Sequence, residues 1–100
     1  MEFTVHTTLD GTAAMLSLEG WLDSLSAAQL QQTIDGLPDE ICDLVFDCQK
    51  LEYVSSAGLR QFALAGKKMA GRGSFMLIRV TEDVLSVLQM TGLAERLQII

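Results

Sequence analysis

Apolar and polar positions change period several times along the chain, and each change marks an element. Residues 3–9 alternate imperfectly around Val5 and read as a strand. Asp10-Gly11 is a hairpin turn signal, and residues 13–18 return as a second, antiparallel strand. Gly20 ends that strand, and Trp21-Leu22-Asp23-Ser24 follow as a loop. Ser26 with Gln29 beyond it has the form of a capping box. Ala27, Leu30, Ile34 and Leu37 make an apolar stripe, and Gly36 and Pro38 terminate the helix that carries it. The apolar, partly β-branched run Leu44-Val45-Phe46 predicts a buried parallel strand over residues 43–46, with Asp47 where it leaves the sheet. Leu59, Phe62, Ala63, Gly66, Met69 and Ala70 share one face of a second helix over residues 57–70. Gly71-Arg72-Gly73 breaks the chain, and residues 74–80 make the next strand. Thr81 caps a third helix, with Glu82 and Asp83 in its first turn and an apolar face of Val84, Leu85, Val87 and Leu88. Gly92 stops it, and residues 97–100 form a short last strand.

The order β-β-α-β-α-β-α-β predicts an α/β fold: a mixed sheet, largely parallel, opened by an antiparallel hairpin. One hundred residues make a single domain over 1–100, without repeats or linkers. With 49% apolar residues there is enough for a real core, yet no apolar run is long enough to cross a membrane. The start, Met1-Glu2-Phe3-Thr4, has neither a basic nor an apolar signal region, so a cytoplasmic location and no membrane insertion are expected.

Charge narrows the function classes. Thirteen acids against seven bases give a net charge of −6, which argues against nucleic acid as a partner. Lys67-Lys68 and Arg72 fall late in the second helix, where they complement its dipole. Cys42 and Cys48 flank the third strand, and their spacing fits no metal motif. They read as free thiols, small and partly buried, and His6 as a surface residue. Met69, Met76 and Met90 read as core filler. No metal and no cofactor are expected. The single histidine lies far from the serines and GxSxG is absent, so no hydrolase is indicated and the protein is not expected to be an enzyme.

The chemistry-bearing block is LVFDCQKLEYVSSAGLRQF, residues 44–62. Ser55-Ser56 precede Ala57, Gly58 and Leu59, where helical spacing begins, so Ser56 lies at or beside an N-cap. The helix end there offers unpaired N–H groups and a dipole that favours negative charge, so a phosphate on Ser56 would be stabilised. A plain helix cap is the other reading of Ser56. Asp23 and Asp47 read either as acidic neighbours of Ser56 on one sheet edge or as local turn and loop caps. Trp21, the only tryptophan, reads as an interface anchor on that edge or as a cover for the sheet end.

The YVSSAGLR core, Tyr53 to Arg60, resembles the signature of the STAS domain family, the anti-sigma-factor antagonists and their relatives. LEGWLDSLSAAQLQQTI, residues 18–34, resembles the family's second strand, its Gly-x-Leu-Asp turn at Gly20, Leu22 and Asp23, and its first helix. Gly92-Leu93 before the last strand is a weaker match, and the likeness spans nearly the whole chain. The resemblance implies helices mainly on one face of a mixed sheet, and a family C-terminal helix that is absent here. It implies that Ser56 is the phosphoacceptor of a partner-binding edge containing Trp21, Asp23, Asp47, Tyr53, Ser55 and Gly58. Two departures stand out. Many antagonists have Asp before the phosphorylatable serine, where this chain has Ser55, and Ala57 replaces a second serine. The partner it implies is a serine kinase with a histidine-kinase-like ATPase fold, often itself an anti-sigma factor, with a serine phosphatase to reset the switch. Two alternatives remain: a constitutive STAS subunit of a transporter ATPase or sensor assembly, and a nucleotide- or small-ligand-binding domain using the same edge.

Overall fold

The computed structural model describes residues 2–100. Its five strands lie in sequence order across one sheet: β1 (Phe3–Asp10), β2 (Ala13–Leu22), β3 (Asp43–Val54), β4 (Ser74–Ile78) and β5 (Gln98–Ile99). β1 pairs antiparallel with β2, and every later neighbour is parallel. Three helices supply the crossovers: α1 (Ser24–Asp35), α2 (Ser56–Met69) and α3 (Glu82–Met90). A 3-10 turn, Leu93–Glu95, precedes β5. This is the expected element order and the expected mixed sheet.

Alternation along the strands decides which face the helices cover. Leu16, Leu18, Leu44, Phe46 and Leu77 point to one side and are buried, in one cluster with Leu30, Phe62, Val84 and Leu88 of the helices. Met15, Val45, Met76 and Ile78 point to the other side and stay half-buried. The helix-covered face therefore holds the core. Phe46 anchors it, meeting Phe62 edge-on at 5.4 Å and Phe75 at 4.8 Å between ring centroids. Met69 belongs to this core, but Met90 does not: it is 86% exposed at the end of α3. On α2 the buried residues are Gly58, Leu59, Gln61, Phe62, Ala65 and Met69, whereas Ala63 and Ala70 face outward.

The largest departure from the sequence reading is the length of β2 and β3. Gly20 does not end β2. It takes φ +94° at an irregularity in the register, and the strand continues through Trp21 and Leu22. A Cβ on Gly20 would sit 2.1 Å from the Glu2 carbonyl oxygen, so the close approach of the backbone requires glycine. Likewise β3 does not stop at Phe46. β4 stops pairing at Asp47↔Ile78, but β2 stays paired with β3 as far as Leu22↔Val54. Beyond Asp47 the strand has one neighbour, so only Cys48, Leu51 and Val54 turn inward and are buried, and the residues between them are exposed.

Both cysteines are free, as expected. Cys48 is buried in the core, and burial, with the Asp47 charge beside it, pushes its thiol up to about 12. Cys42 is half-exposed. Under native conditions at pH 8, Cys42 is expected to alkylate readily and Cys48 only as the protein opens, with two equivalents after denaturation. Equal fast labelling of both in the folded protein would contradict this packing.

Candidate functional site

The C-terminal ends of β2 and β3 lie side by side and launch α1 and α2 from one edge. Trp21 pairs with Tyr53 and Leu22 with Val54, and the Ser55 N–H donates to the Leu22 carbonyl at 2.8 Å. Trp21 belongs to β2 and not to a loop, because β2 runs past Gly20. Its ring lies 4.8 Å from that of Tyr53, tilted by 35°. Trp21 is half-buried and Tyr53 is 43% exposed, so the pair both covers the sheet end and presents aromatic surface.

α1 starts earlier than Ser26. Asp23 is its N-cap: one carboxylate oxygen accepts from the N–H groups of Leu25 at 3.1 Å and Ser26 at 3.0 Å. Ser26 Oγ accepts from the Asp23 N–H at 2.8 Å, so the capping box is Asp23–Ser26 and not Ser26–Gln29. The backbone N–H and the hydroxyl of Ser26 hold the Asp23 carboxyl below its usual range. Asp23 is thus occupied locally, and the turn-cap reading holds. This start places Leu25 off the buried stripe, and it is 86% exposed.

α2 starts on the serine pair, and the pair divides its work. Ser55 is the N-cap, its hydroxyl accepting from the Gly58 N–H at 3.2 Å. Ser56 is the first helical residue and is exposed. The cap reading thus falls to Ser55. Arg60 stands one turn along from Ser56 and is also exposed, and the first turn of α2 contains no acid. Gly58 sets the helix against the sheet end. A Cβ there would lie 2.7 Å from Leu22 Cγ and 2.8 Å from Val54 Cγ2. At this end of the sheet Leu25 and Ser56 are exposed at the starts of α1 and α2, while Trp21 and Tyr53, neighbours of the core residues Leu22 and Val54, turn to the helix-free face.

This division gives a test of fold alone. Ser55→Ala is expected to cost ~1 kcal/mol of stability, the usual worth of a capping hydroxyl, and Ser56→Ala only a few tenths. Thermal or urea unfolding of the two variants measures both, and the reverse ranking would contradict the assignment.

Asp47 is not part of this edge. It was expected in a loop beside Ser56, but it sits mid-strand in β3, level with the end of β4. The seven residue steps along β3 from Asp47 to Val54 separate it from the edge by roughly 23 Å, at about 3.3 Å per step. The cause is the continued pairing of β3 with β2. Asp47 points to the helix-free face, is 5% exposed, and forms an ion pair with Arg79. Arg79 Nε donates to Oδ1 at 3.1 Å, Arg79 Nη2 donates to Oδ2, and the Gln49 N–H donates to Oδ1 at 3.2 Å. Burial pushes the Asp47 carboxyl up, but the Arg79 hydrogen bonds and charge outweigh it and hold the group below its usual range. Arg79 adopts φ +53°, the only non-glycine residue in that region among those described.

Two features escaped the sequence reading. Leu25 had a usable signal: with Asp23 taken as cap, it falls at the second helical position, outside the Ala27-Leu30-Ile34 stripe. Arg79 had none, since only the register of β3 against β4 brings it to Asp47.

A family model described as the Mlab, STAS domain matches residues 5–100. No curated protein matches the chain. Among solved structures, an anti-sigma factor antagonist from Mycobacterium paratuberculosis is similar at TM-score 0.88 and 22% identity, over 98% of this chain and 85% of that one. An anti-sigma-factor antagonist (STAS) domain protein from Planctomyces limnophilus is similar at TM-score 0.70 and 16% identity, over 95% of this chain and 87% of that one. The Bacillus cell fate determinant SpoIIAA in its phosphorylated form is similar at TM-score 0.67 and 16% identity, over 99% of this chain and 91% of that one. At these identities the shared property is the fold. None of the helices among the described residues is long and apolar enough to cross a membrane.

Proposed function

The chain belongs to the STAS domain family, and from that premise we propose that it is a phosphorylation-controlled binding switch of the anti-sigma-factor-antagonist type. One observation carries the reading: Ser55 caps α2, which leaves the neighbouring Ser56 exposed in the first turn, its hydroxyl outside the capping bond. Leu25 and Tyr53 are also exposed at this end of the sheet, the kind of apolar surface that anchors an interface. Unphosphorylated, this edge docks on a serine kinase with a histidine-kinase-like ATPase fold, itself an anti-sigma factor. Phosphorylation of Ser56 adds roughly −1.5 to −2 charges at the centre of the edge. The α2 N-terminus and Arg60 stabilise the phosphate in the free protein, while an apolar interface must desolvate it, so the complex dissociates. A serine phosphatase removes the phosphate and restores docking. The protein is the substrate of this cycle and not a catalyst in it, and the cycle belongs to the cytoplasm. The description of SpoIIAA in a phosphorylated form supports the reading by analogy of fold.

A second reading has one observation behind it: the matching family model carries the Mlab description and not that of an antagonist. On this reading the same edge docks permanently, as a STAS subunit of a transporter ATPase or sensor assembly, and Ser56 is never modified. Incubation with the cognate serine kinase and ATP, followed by peptide mapping, separates the two. Phosphate on Ser56 is the expected result; phosphate on Ser55 alone, or on neither, would leave the permanent subunit.

A further inference from the structure

A groove at the opposite end of α2 from Ser56 has a composition unlike the rest of this acidic molecule. It has a volume of about 290 Å³ and lies between the C-terminal half of α2 and the segment from the 3-10 turn to β5. Its floor is Phe75 and Met69, both core residues, and its far wall is Leu93 and Leu97, both half-buried. The near wall is α2, where Gly66 lets Leu97 pack close against the helix: a Cβ there would stand 3.0 Å from Leu97 Cδ2.

Charge sets the groove apart. Lys67 on the helical wall and Arg96 on the far wall both line it, and no Asp or Glu does. The protein has seven bases against thirteen acids, so a lining whose two charged residues are both basic runs against its composition. Both residues are exposed, and neither takes part in an ion pair among the described residues, where the pairs are Lys68–Asp35 and Arg79–Asp47. Two free cations flanking an apolar floor present complementary halves of an amphipathic anion.

Size limits the occupant. A helix about 10–12 Å across does not fit a space of this volume. At the ~30 Å³ that a water molecule occupies in the liquid, the groove holds about ten heavy atoms. Inorganic phosphate would leave the apolar floor unused. We propose that this groove binds a medium-chain carboxylate, its tail against Phe75, Leu93 and Leu97 and its head between Lys67 and Arg96. The site is separate from the Ser56 edge and does not depend on the reading given to that edge.

Octanoate is the probe. Titrated into ¹⁵N-labelled protein, it is expected to shift the amides of Gly66, Leu93 and Leu97 saturably, with a Kd at or below about 1 mM. Octanol lacks the charge and acetate lacks the tail, and each is expected to bind at least about tenfold more weakly. The double variant Lys67→Gln/Arg96→Gln alters two exposed residues, so its melting temperature is expected to stay put while octanoate affinity falls about tenfold or more. Ala63→Leu, which fills the groove from the exposed side of α2, is expected to abolish the shifts without touching either cation. Octanol binding as tightly as octanoate, unchanged affinity in the double variant, or no saturable shift at these amides would each overturn the proposal. Shifts at the same amides that grow with protein concentration alone would assign the groove to a second copy of the chain, and would overturn it too.

Discussion

Ser56→Asp is expected to cost the complex with the partner about 2–5 kcal/mol of affinity, while leaving the fold almost unchanged. The two halves of this expectation come from different places on one residue. Within the free protein, Ser56 is exposed at the first position of α2, where a carboxylate meets the favourable end of the helix dipole and an arginine one turn on. Stability therefore holds level or rises by a few tenths of a kcal/mol. Within the interface, the same carboxylate must be desolvated against the partner, and the Arg60 charge available in the free protein does not offset that cost. Ser56→Ala is expected to bind like the unmodified protein and to be insensitive to the kinase. Because Ser55 holds the cap, alanine at Ser56 costs little stability, so both variants report on binding and not on folding. Calorimetric titration against the purified partner, with thermal melts of each variant, provides both quantities. A Ser56→Asp protein that binds as tightly as Ser56→Ala would remove electrostatics from the account.

The second large effect lies away from the edge. Arg79→Ala is expected to destabilise the fold by about 2–3 kcal/mol at neutral pH. It leaves the Asp47 carboxylate buried against the sheet without its cation. The loss falls below the ~3–5 kcal/mol of a fully enclosed pair, because the Arg79 side chain is 56% exposed and its removal admits water. Alanine keeps a Cβ at φ +53°, so the strain of that backbone is the same in both proteins and cancels. The pH dependence carries the signature. In the unmodified protein the folded-state pKa of Asp47 is depressed. Its contribution is therefore present above the unfolded value of about 3.9 and is lost as pH falls through the folded one. Without Arg79, burial becomes the leading influence and raises the pKa. The same group is then harmless below about pH 4 and destabilises progressively as pH rises through its folded value. The two stability curves are thus expected to converge in acid and to separate towards neutrality. Urea unfolding at a series of pH values measures the gap, and a gap independent of pH would mean that the loss is one of packing. Arg79→Lys keeps the charge but not the fork and is expected to fall between the two.

The order of elements was legible because period, caps and breakers agreed over most of the chain. The Leu44-Val45-Phe46 run, the stripes of α1 and α2 and the glycines at 11, 36, 71 and 92 all marked real boundaries or cores. The boundaries failed where a neighbouring strand, and not the local sequence, set them. β3 is mostly polar from Gln49 to Glu52, yet its backbone remains paired to β2, because hydrogen bonding to a neighbour needs no apolar side chain. Gly20 has the appearance of a terminator but serves as an irregularity that the Glu2 backbone packs against. These two misreadings moved Asp47 into a loop it does not occupy and placed Trp21 outside the strand that holds it. At the site itself, the serine pair and the Asp23 turn were visible, since capping chemistry is local. Which serine caps and which is free was not, because Ser55 and Ser56 are chemically equivalent until the backbone fixes the first helical residue. The Asp47–Arg79 pair joins residues 32 apart in sequence, and only a known strand register reveals it.

The central claim is that one phosphate on Ser56 decides whether the edge is open for docking. The most direct test uses the natural modification and not a mimic. The partner is titrated by calorimetry into unphosphorylated protein and into protein phosphorylated stoichiometrically by its kinase, at one salt concentration. Binding of the unphosphorylated form and a loss of at least about a hundredfold, near 2.7 kcal/mol, on phosphorylation is the expected result. Equal affinity for the two forms would contradict the switch and leave a permanently docked module in its place.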